Sequence, residues 1–422
     1  MTMEAAHTSI WTRAYVLLCA AVFMSSAHYS VLFVAIPLYV THLGGSPFLA
    51  GLVLLTFSLP SFTLRPFIGY WADSWNTVGV LTIGALLLGL SGFFYLIPAM
   101  VVLFVASAFR GLGWAGLMTG GYTILAHITP ASRRGEASGY YTSLTGTASI
   151  AFPALALWLI DKPSGGFRII FVLGGAFALT SVAIGLLGLR RVVHIAPVLR
   201  KQRSGGLGSL GAVLLDRDVL LATTLSFCVM LAQPAVTAFL PLYAKKQGIH
   251  NIGYFYILAG ITSLLIRPLV GRAADRVGRG ISIAAGLLVQ IAGLASIMLF
   301  GTLPAILVGG VFNAIGTSIN SAATMALAMD LANPERRGTS MATFSLSIQM
   351  GMGVGAVLAG ALVSLSGYRG MYLGSILVLV IGLVLTLLNW SKLARVIAPP
   401  LLTEAGMGSA IPVRTADSTS TA

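Results

Sequence analysis

Long apolar runs separated by short polar segments cover almost the whole chain. A bilayer-spanning helix needs about 20 apolar residues, and twelve runs reach roughly that length. They predict helices near residues 14–40, 49–70, 78–97, 100–128, 136–160, 167–189, 219–243, 252–270, 281–300, 303–331, 339–365 and 371–390. The pattern therefore predicts an all-α membrane protein with twelve transmembrane helices.

The polar segments repeat between the first six runs and the last six. An Arg-Pro pair followed by Gly and Asp occurs twice at the same spacing, as Arg65, Pro66, Gly69 and Asp73, and as Arg267, Pro268, Gly271 and Asp275. Pro37-Leu38-Tyr39 also returns as Pro241-Leu242-Tyr243. A polar hinge repeated between hydrophobic helices indicates two copies of one unit. An even number of helices per copy predicts two parallel-related six-helix bundles around a central cavity.

The repeat sets the predicted domain organisation. The N-terminal six-helix half covers residues 1–189, and the C-terminal six-helix half covers 219–395. Residues 190–218 are basic at first and glycine-rich later, which indicates a linker between the halves. Residues 396–422 are small and polar without periodicity, so we expect a disordered tail.

Composition excludes a soluble fold. The 422 residues are 57% hydrophobic and only 9% charged, whereas an average soluble domain is roughly 25% charged. The net charge of +14 does not indicate nucleic-acid binding, because the basic residues lie in short loops between apolar runs. The only cysteines, Cys19 and Cys228, lie inside apolar runs and predict neither a disulfide nor a metal site.

Lys and Arg residues predict the orientation. If both termini share one side of the membrane, that side holds 19 of the 25 Lys and Arg residues and Arg110 lies inside a helix. The other side holds five, namely Lys162, Arg168, Lys245, Lys246 and Arg369. Positive residues mark the cytoplasmic side. We therefore expect a multi-pass protein of the plasma (inner) membrane with both termini cytoplasmic, and the first helix retained because no cleavage site follows it.

Two motifs carry a resemblance to a known family over residues 10–395. Residues 271–279 read GRAADRVGR and include Asp275, Arg276 and Arg279. This segment resembles the signature loop of major facilitator superfamily transporters. The fourth helix carries Arg110-Gly111-Leu112-Gly113, which resembles the family's helix-four arginine motif. The resemblance implies secondary transport by alternating access, without a cofactor.

Other positions depart from the family pattern. The first-half copy keeps Gly69 and Asp73 but lacks the basic residues that follow. The fifth helix keeps Gly139 and Pro153 of the antiporter motif, but four other residues replace its expected glycines: Ala148, Phe152, Ala156 and Leu157. The chain resembles the bacterial drug and metabolite exporter branch, which includes arabinose-efflux-like permeases and exporters of opine-type metallophores.

Arg110 is the sharpest candidate for function. It lies about ten residues into the fourth helix, where a charge costs at least about 2.5–3.5 kcal/mol on insertion scales. It must therefore face a cavity or a partner. The functional interpretation is that it binds an anionic substrate group or modulates proton coupling. The structural alternative is that it joins helices by hydrogen bonds to backbone carbonyls.

The acidic residues constrain the substrate by their positions. None of the eleven lies at the middle of a predicted helix. Proton-driven exporters of cations need a buried carboxylate that holds either the proton or the cation. The sequence therefore predicts a neutral or anionic substrate. Glu136 and Asp330 lie near helix ends, where salt bridges with nearby arginines are favoured over proton relay.

Four other polar or aromatic residues lie at mid-helix positions. His28 could carry a coupling proton, because histidine titrates in the physiological range, or could be a core histidine with satisfied hydrogen bonds. Gln233 and Asn313, at positions equivalent to Tyr29 and Arg110, are predicted to line the cavity. Tyr29 could stack on a substrate, although packing is the commoner role of an aromatic residue in an apolar helix.

The repeated hinge predicts a gate. Gly69 and Gly271 would permit tight turns at helix ends. Asp73 and Asp275 would accept amide hydrogen bonds or pair with arginines, with Arg276 and Arg279 in the same loop. We expect a latch that closes the cytoplasmic side, with two pairs across the halves, Arg134 with Asp275 and Arg337 with Asp73. A purely structural turn is the alternative.

The predicted function is secondary active transport of a small neutral or anionic solute, proton-coupled and outward, by a monomer in the bilayer. No nucleotide-binding motif is present, so an ion gradient must supply the energy. Uptake or facilitated diffusion of a small metabolite is the alternative within this class. An intramembrane enzyme or signalling receptor would need a catalytic constellation or an appended soluble domain. The sequence has no Gly-x-Ser-x-Gly, no His-Glu-x-x-His and no soluble domain of useful size. No cofactor or metal is predicted.

Overall fold

The chain is an all-helical membrane protein. The computed structural model describes residues 9–130, 133–160, 162, 166–193, 216–333 and 337–395, and no strand occurs among them. The helices are α1 (Arg13–His42), α2 (Pro47–Thr63), α3 (Arg65–Ser74), α4 (Thr77–Phe94), α5 (Met100–Ile128), α6 (Arg134–Ile160), α7 (Gly166–Ala183), α8 (Leu220–Thr237), α9 (Leu240–Lys246), α10 (Gly253–Val277), α11 (Arg279–Phe300), α12 (Leu303–Leu331), α13 (Arg337–Leu388) and α14 (Trp390–Arg395).

Every apolar run that the sequence marks is helical. Nine helices in the described ranges are long and apolar enough to cross a membrane, and Pro47–Thr63 and Gly253–Ile266 are shorter apolar helices. The longest, α13, contains one residue with non-helical backbone, Gly367 (φ 74°, ψ −175°). That kink lies between two of the predicted runs, so α13 contains both.

Two predicted helices are divided by prolines. The second run breaks at Leu64, between α2 and α3, and the seventh breaks at residues 238–239, between α8 and α9. Pro66 and Pro241 lie in the first turns of α3 and α9. A proline cannot donate the hydrogen bond to the residue four positions earlier, so each break lies where that bond is missing.

Helices of each sequence half pack mainly on one another. In the first half α1 packs on α6 and α7, and α4 packs on α5 and α7. In the second half α8 packs on α13, and α11 packs on α12. Buried apolar residues of α8–α13 form most of one cluster, whereas two other clusters belong to the first-half helices. The cluster of the second half also includes first-half residues such as Leu38 and Leu54, so the two cores meet.

Two pairs of helices make most of the contact between the sequence halves, α2 with α13 and α6 with α10, and α1 also touches α9. Gly51 of α2 lies so close to α13 that a Cβ there would overlap the carbonyl oxygen of Ala356. A Cβ on Gly260 of α10 would likewise overlap the side chain of Ile150 on α6. Small residues at such crossings let backbones approach closely without polar contacts.

The tight turns expected at Gly69 and Gly271 are not present. Gly69 lies inside α3, and α10 continues past Gly271 to Val277. The turn of the second-half loop lies instead at Gly278, whose φ of 96° is in the region that glycine favours. The prediction failed because GRAADRV has good helix formers after Gly271, so the helix continues to the next glycine.

Most of the predicted linker and the tail lie outside the described residues. Residues 194–215 and 396–422 belong to this group. The first residues of the predicted linker are helical, because α7 continues through a π-helical segment, Ile184–Leu189, and a last turn, Arg190–Val192. Near the end of the linker, the carboxylate of Asp216 accepts a hydrogen bond from the Ser340 hydroxyl, and the Asp216 N–H donates to the Thr343 hydroxyl.

Candidate functional site

Arg110 is completely buried on α5. Its side chain has no solvent exposure, and its Nε and Nη1 atoms have no hydrogen-bond partner. Nη2 lies 3.5 Å from the carbonyl oxygen of Tyr29, at the limit of a hydrogen bond. No ion pair to Arg110 occurs in the part of the chain that the structure describes. A buried guanidinium with free donors is costly for a protein alone, and an anion would satisfy it.

Aromatic rings surround this guanidinium. Its Cζ atom lies 4.7 Å from the ring centre of Phe57 and 5.3 Å from that of Tyr29. Tyr29 in turn stacks on Trp114, with ring centres 4.3 Å apart, and on Phe33, 5.5 Å away. Ring faces attract a cation, but they supply none of the five hydrogen-bond acceptors that a guanidinium can use. The rings therefore favour a charged Arg110, and its Nε and Nη1 donors stay unused.

Glycines in the arginine motif position the side chain. A Cβ on Gly111 would overlap the carbonyl oxygen of Phe57, so this glycine allows α5 to touch the α2 backbone. A Cβ on Gly113 would lie 2.6 Å from the carbonyl oxygen of Gly84, on α4. Because the two glycines face different neighbours, α5 is held between α2 and α4. This packing places Arg110 beside Phe57.

His28 lies next to this site on α1 and is also completely buried. Its Nδ1 is 2.9 Å from the carbonyl oxygen of Gly174 on α7. Since a carbonyl only accepts, Nδ1 carries the proton and donates. Nε2 has no partner. A proton on Nε2 would create a second positive charge that repels Arg110. The histidine therefore has one structural hydrogen bond and one nitrogen without a partner, and its role in proton coupling stays a prediction.

Gln233 and Asn313 form a second polar group, in the second-half helices. Gln233 Nε2 donates to the Thr317 hydroxyl at 2.8 Å, and that hydroxyl donates to the carbonyl oxygen of Asn313 at 2.7 Å. Both predicted residues are buried, and Asn313 Oδ1 has no partner. No hydrogen bond, ion pair or ring contact among the described residues joins this group to Arg110, His28 and Tyr29. The five candidates thus form two groups, one in each half.

Sequence reasoning missed three residues, two at the sites just described and one in a separate buried polar pair. Thr317 bridges Gln233 to Asn313, and Phe57 forms one face of the Arg110 site. Gln290 is buried and its Oε1 accepts from Asn320 Nδ2 at 3.3 Å, while Gln290 Nε2 has no partner. The available signal was Gln290 itself, an uncharged polar residue inside the apolar run 281–300.

The predicted salt bridges at the helix ends are confirmed. Glu136 pairs with Arg133 at 2.9 Å, and Asp330 pairs with Arg279 at 3.0 Å. The second pair engages one arginine of the candidate gate. These carboxylates therefore neutralise arginines near helix termini and do not reach the buried Arg110.

The rest of the candidate gate stays a prediction. Arg134 begins α6 and is exposed. Its predicted partner Asp275 lies outside the residues whose side chains are described, as do Asp73, Gly271, Arg276 and Arg337. Neither latch pair is therefore tested, and Gly69 adds only that nothing lies within 4 Å of a Cβ built on it.

Comparisons with known proteins agree on one family. The model of the Major Facilitator Superfamily matches residues 18–303 and 250–406. An uncharacterised MFS-type transporter of Methanocaldococcus jannaschii is 25% identical over 353 residues, which is 82% of this chain and 90% of that protein. Multidrug resistance protein 1 of Bacillus subtilis is 29% identical over 150 residues, 35% of this chain and 37% of the relative.

Solved structures share the fold. A POT family transporter in complex with a thioalcohol-conjugated peptide superposes with a TM-score of 0.77 at 15% identity, covering 92% of this chain and 97% of that one. A bacterial homologue of the human lysosomal transporter Spinster, in an inward-facing and unoccupied conformation, gives a TM-score of 0.74 at 16% identity, covering 93% and 100%. At such identities the likeness concerns the fold alone.

Proposed function

The chain belongs to the major facilitator superfamily, and from this premise we propose that it moves a small anionic solute across the plasma membrane by alternating access. It is a transporter and not an enzyme. We choose an anion as the substrate because of Arg110, a buried cation with two unpartnered nitrogen atoms and no acidic partner among the described residues. A neutral solute with strong hydrogen-bond acceptors is the weaker form of the same proposal.

The proposed architecture has twelve spanning helices in two six-helix bundles around a central cavity. The nine long helices and two shorter apolar ones give twelve crossings when the kinked α13 is counted as two. Residues 1–189 would form one bundle and 219–395 the other, with 190–218 as a cytoplasmic linker and both termini cytoplasmic. In this arrangement a single chain suffices, because Arg110 would lie in one bundle and Gln233 in the other, and both would face the proposed central cavity.

Export coupled to a proton gradient is the direction we propose first. Similarity to proteins named for multidrug resistance, in Bacillus subtilis and Yersinia enterocolitica, supports it. Antiport would require the proton and the solute to compete for the cavity. The departures from the antiporter motif on α6, at positions such as Ala148 and Phe152, count against antiport.

Proton-coupled uptake is the second candidate, and the position of His28 favours it. A proton on His28 repels Arg110, and an anion bound to Arg110 would offset that repulsion. Anion and proton would then bind cooperatively, because each raises the affinity for the other. Cooperative binding suits movement of both in one direction. Accumulation of a bound solute in intact cells, with and without a proton gradient, separates uptake from export.

Thermal unfolding of the purified protein against a panel of metabolites tests the substrate class. We expect carboxylates to raise the unfolding temperature, and their amides and cationic amines to leave it unchanged. A ligand that binds only the folded state stabilises it by about 2.7 kcal/mol at a hundredfold excess over Kd. Stabilisation by cations, or by amides as strongly as by acids, would overturn the anion assignment.

The last turn of α10, which contains Asp275, is proposed as part of a cytoplasmic gate. Asp275 would pair with Arg134 of the other half in one transport state, so Asp275→Asn should lower transport severalfold. Removing one charge from a surface pair costs up to about 1 kcal/mol, so the unfolding temperature should change little. Reconstituted vesicles measure the rate. A normal rate in Asp275→Asn would reject the latch.

A further inference from the structure

A large cavity lies at one end of the helices, away from Arg110. It has a volume of about 890 Å³ and is lined by both sequence halves, chiefly α1, α6 and α7 on one side and α9 and α10 on the other. Tyr39 in its wall is ten residues beyond Tyr29 on α1, roughly 15 Å along a helix. The volume falls within the range of about 300–1,000 Å³ that is typical of small-molecule sites.

The charged residues of this cavity are all basic among those described. Lys162, Arg168 and Lys245 line it together with His42 and His250. Only five Lys or Arg residues occupy the loops at this end of the chain, which we call the basic-poor end, and three of them lie here. The sequence holds one acidic residue in these loops, Asp161. The basic-poor end therefore gathers most of its positive charge in one place.

Membrane orientation does not explain this charge. Positive residues in the loops facing away from the cytoplasm oppose the bias that sets topology, so Lys162, Arg168 and Lys245 need another reason. None of the three forms an ion pair in the described part of the chain. Unpaired basic side chains around a concave site raise the local concentration of anions.

Aromatic rings form the apolar part of the wall. Tyr39 contacts Phe167 at 5.1 Å and Phe171 at 4.8 Å between ring centres, and His42 lies 5.1 Å from Phe167. Just after α6, the Lys162 ammonium lies 4.5 Å from the ring centre of Trp158, the last aromatic residue of that helix, and the ring attracts the cation. Rings beside cations suit a molecule with an apolar body and an anionic group.

The backbone fixes the second-half side of the cavity. Gly248 ends α9 with a φ of 69°, and the Ile249 N–H donates to the carbonyl oxygen of Ala244 at 2.9 Å. A helix closed by glycine in this way turns the chain sharply. The turn brings Lys245 before it and His250 after it to the same cavity.

We propose that this cavity is a second binding site, which takes a soluble amphipathic anion: a carboxylate or phosphate on an aromatic or short aliphatic body. This proposal rests on the proposed function, because the second site would bind the transported anion before or after it reaches Arg110. The site would lie between the two halves, at the end opposite the basic loops. A free solute is favoured over a lipid headgroup, because helices of both halves bound the cavity on opposite sides.

Calorimetric titration of the full chain with naphthylacetate tests the site. The protein is placed in nanodiscs of phosphatidylcholine, and naphthylacetamide serves as the uncharged probe. We expect Arg168→Gln/Lys245→Gln to bind naphthylacetate at least tenfold more weakly, about 1.4 kcal/mol. The matched control is Lys246→Gln/Arg369→Gln, which removes the same charge from residues at this end that do not line the cavity. Its affinity should equal that of the wild type.

If both double variants lose the same affinity for naphthylacetate, the effect is one of surface charge and the proposed site is wrong. Equal affinity for naphthylacetate and naphthylacetamide would also overturn it. Arg110→Met in the same assay separates the two proposals. If naphthylacetate binding is lost in Arg110→Met but kept in Arg168→Gln/Lys245→Gln, the proposed second site is wrong and Arg110 remains the proposed anion-binding residue. If binding is kept in Arg110→Met but lost in the double variant, the proposed role of Arg110 is wrong and the second site stands. If phosphatidylglycerol in the nanodiscs abolishes naphthylacetate binding, the cavity holds a lipid headgroup, and the free-solute assignment is wrong.

Discussion

Arg110→Met will lower transport of the anionic solute at least tenfold without lowering the unfolding temperature. Hydrogen bonds to charged groups contribute about 1.5–3 kcal/mol, which corresponds to about a ten- to hundredfold change in affinity. Methionine keeps an unbranched apolar chain beside Phe57 and Tyr29. Because the guanidinium is buried with Nε and Nη1 unpartnered, its removal also relieves a desolvation cost. Vesicle transport and thermal unfolding are measured on the same preparation.

Arg133→Met provides the control, since it removes an arginine from the partly exposed salt bridge with Glu136. An exposed pair contributes about 0–1 kcal/mol, so this variant should transport normally. If Arg110 instead joins helices, Arg110→Met will unfold at a lower temperature, and its lost transport will follow the loss of folded protein. That result would contradict the assignment of Arg110 as the anion-binding residue.

The class of fold was predictable from the sequence because lipid imposes a strong pattern. Each spanning helix must be apolar for about 20 residues, and the observed helices match the predicted runs closely. The errors fall where local chemistry competes with that pattern. Pro66 and Pro241 divide two runs, and α10 passes through Gly271 to turn at Gly278. A glycine permits a turn but does not require one.

The candidate site was only partly predictable. Arg110 and His28 are conspicuous because ionisable residues are rare at membrane depth, and burial confirms that both are inside. Their neighbours are ordinary in sequence. Phe57 is one of 20 phenylalanines, and only the contact of α2 with α5 brings it to the guanidinium. Thr317 similarly gains its role by lying within reach of Gln233 on another helix.

The cavity at the basic-poor end was beyond the reach of the orientation argument. In the distribution of Lys and Arg along the chain, Lys162, Arg168 and Lys245 are exceptions to a majority, and the distribution gives them no role. Their meaning depends on which loops meet, and that follows from the way α6 packs on α10 and α1 approaches α9. Charge placement between helices is a property of the tertiary structure that spacing along one chain does not encode.

Gly111→Ala will both destabilise the protein and lower transport. Arg110→Met, in contrast, will lower transport without destabilising the protein. The added Cβ would meet the carbonyl oxygen of Phe57, a backbone atom, so α2 must move away from α5. Overpacking of this kind costs about 1–3 kcal/mol. The same movement takes the Phe57 ring from the Arg110 guanidinium. We expect a lower unfolding temperature and a transport rate reduced severalfold.

Gly139→Ala on α6 is the matched control, because nothing lies within 4 Å of its added Cβ. Alanine favours a helix over glycine by about 1 kcal/mol, so this variant should unfold at the same or a higher temperature. The pair isolates the close approach of α2 and α5 from the general effect of replacing a helical glycine. Wild-type stability and transport in Gly111→Ala would mean that the two backbones do not need to touch, and that Arg110 is positioned by other contacts.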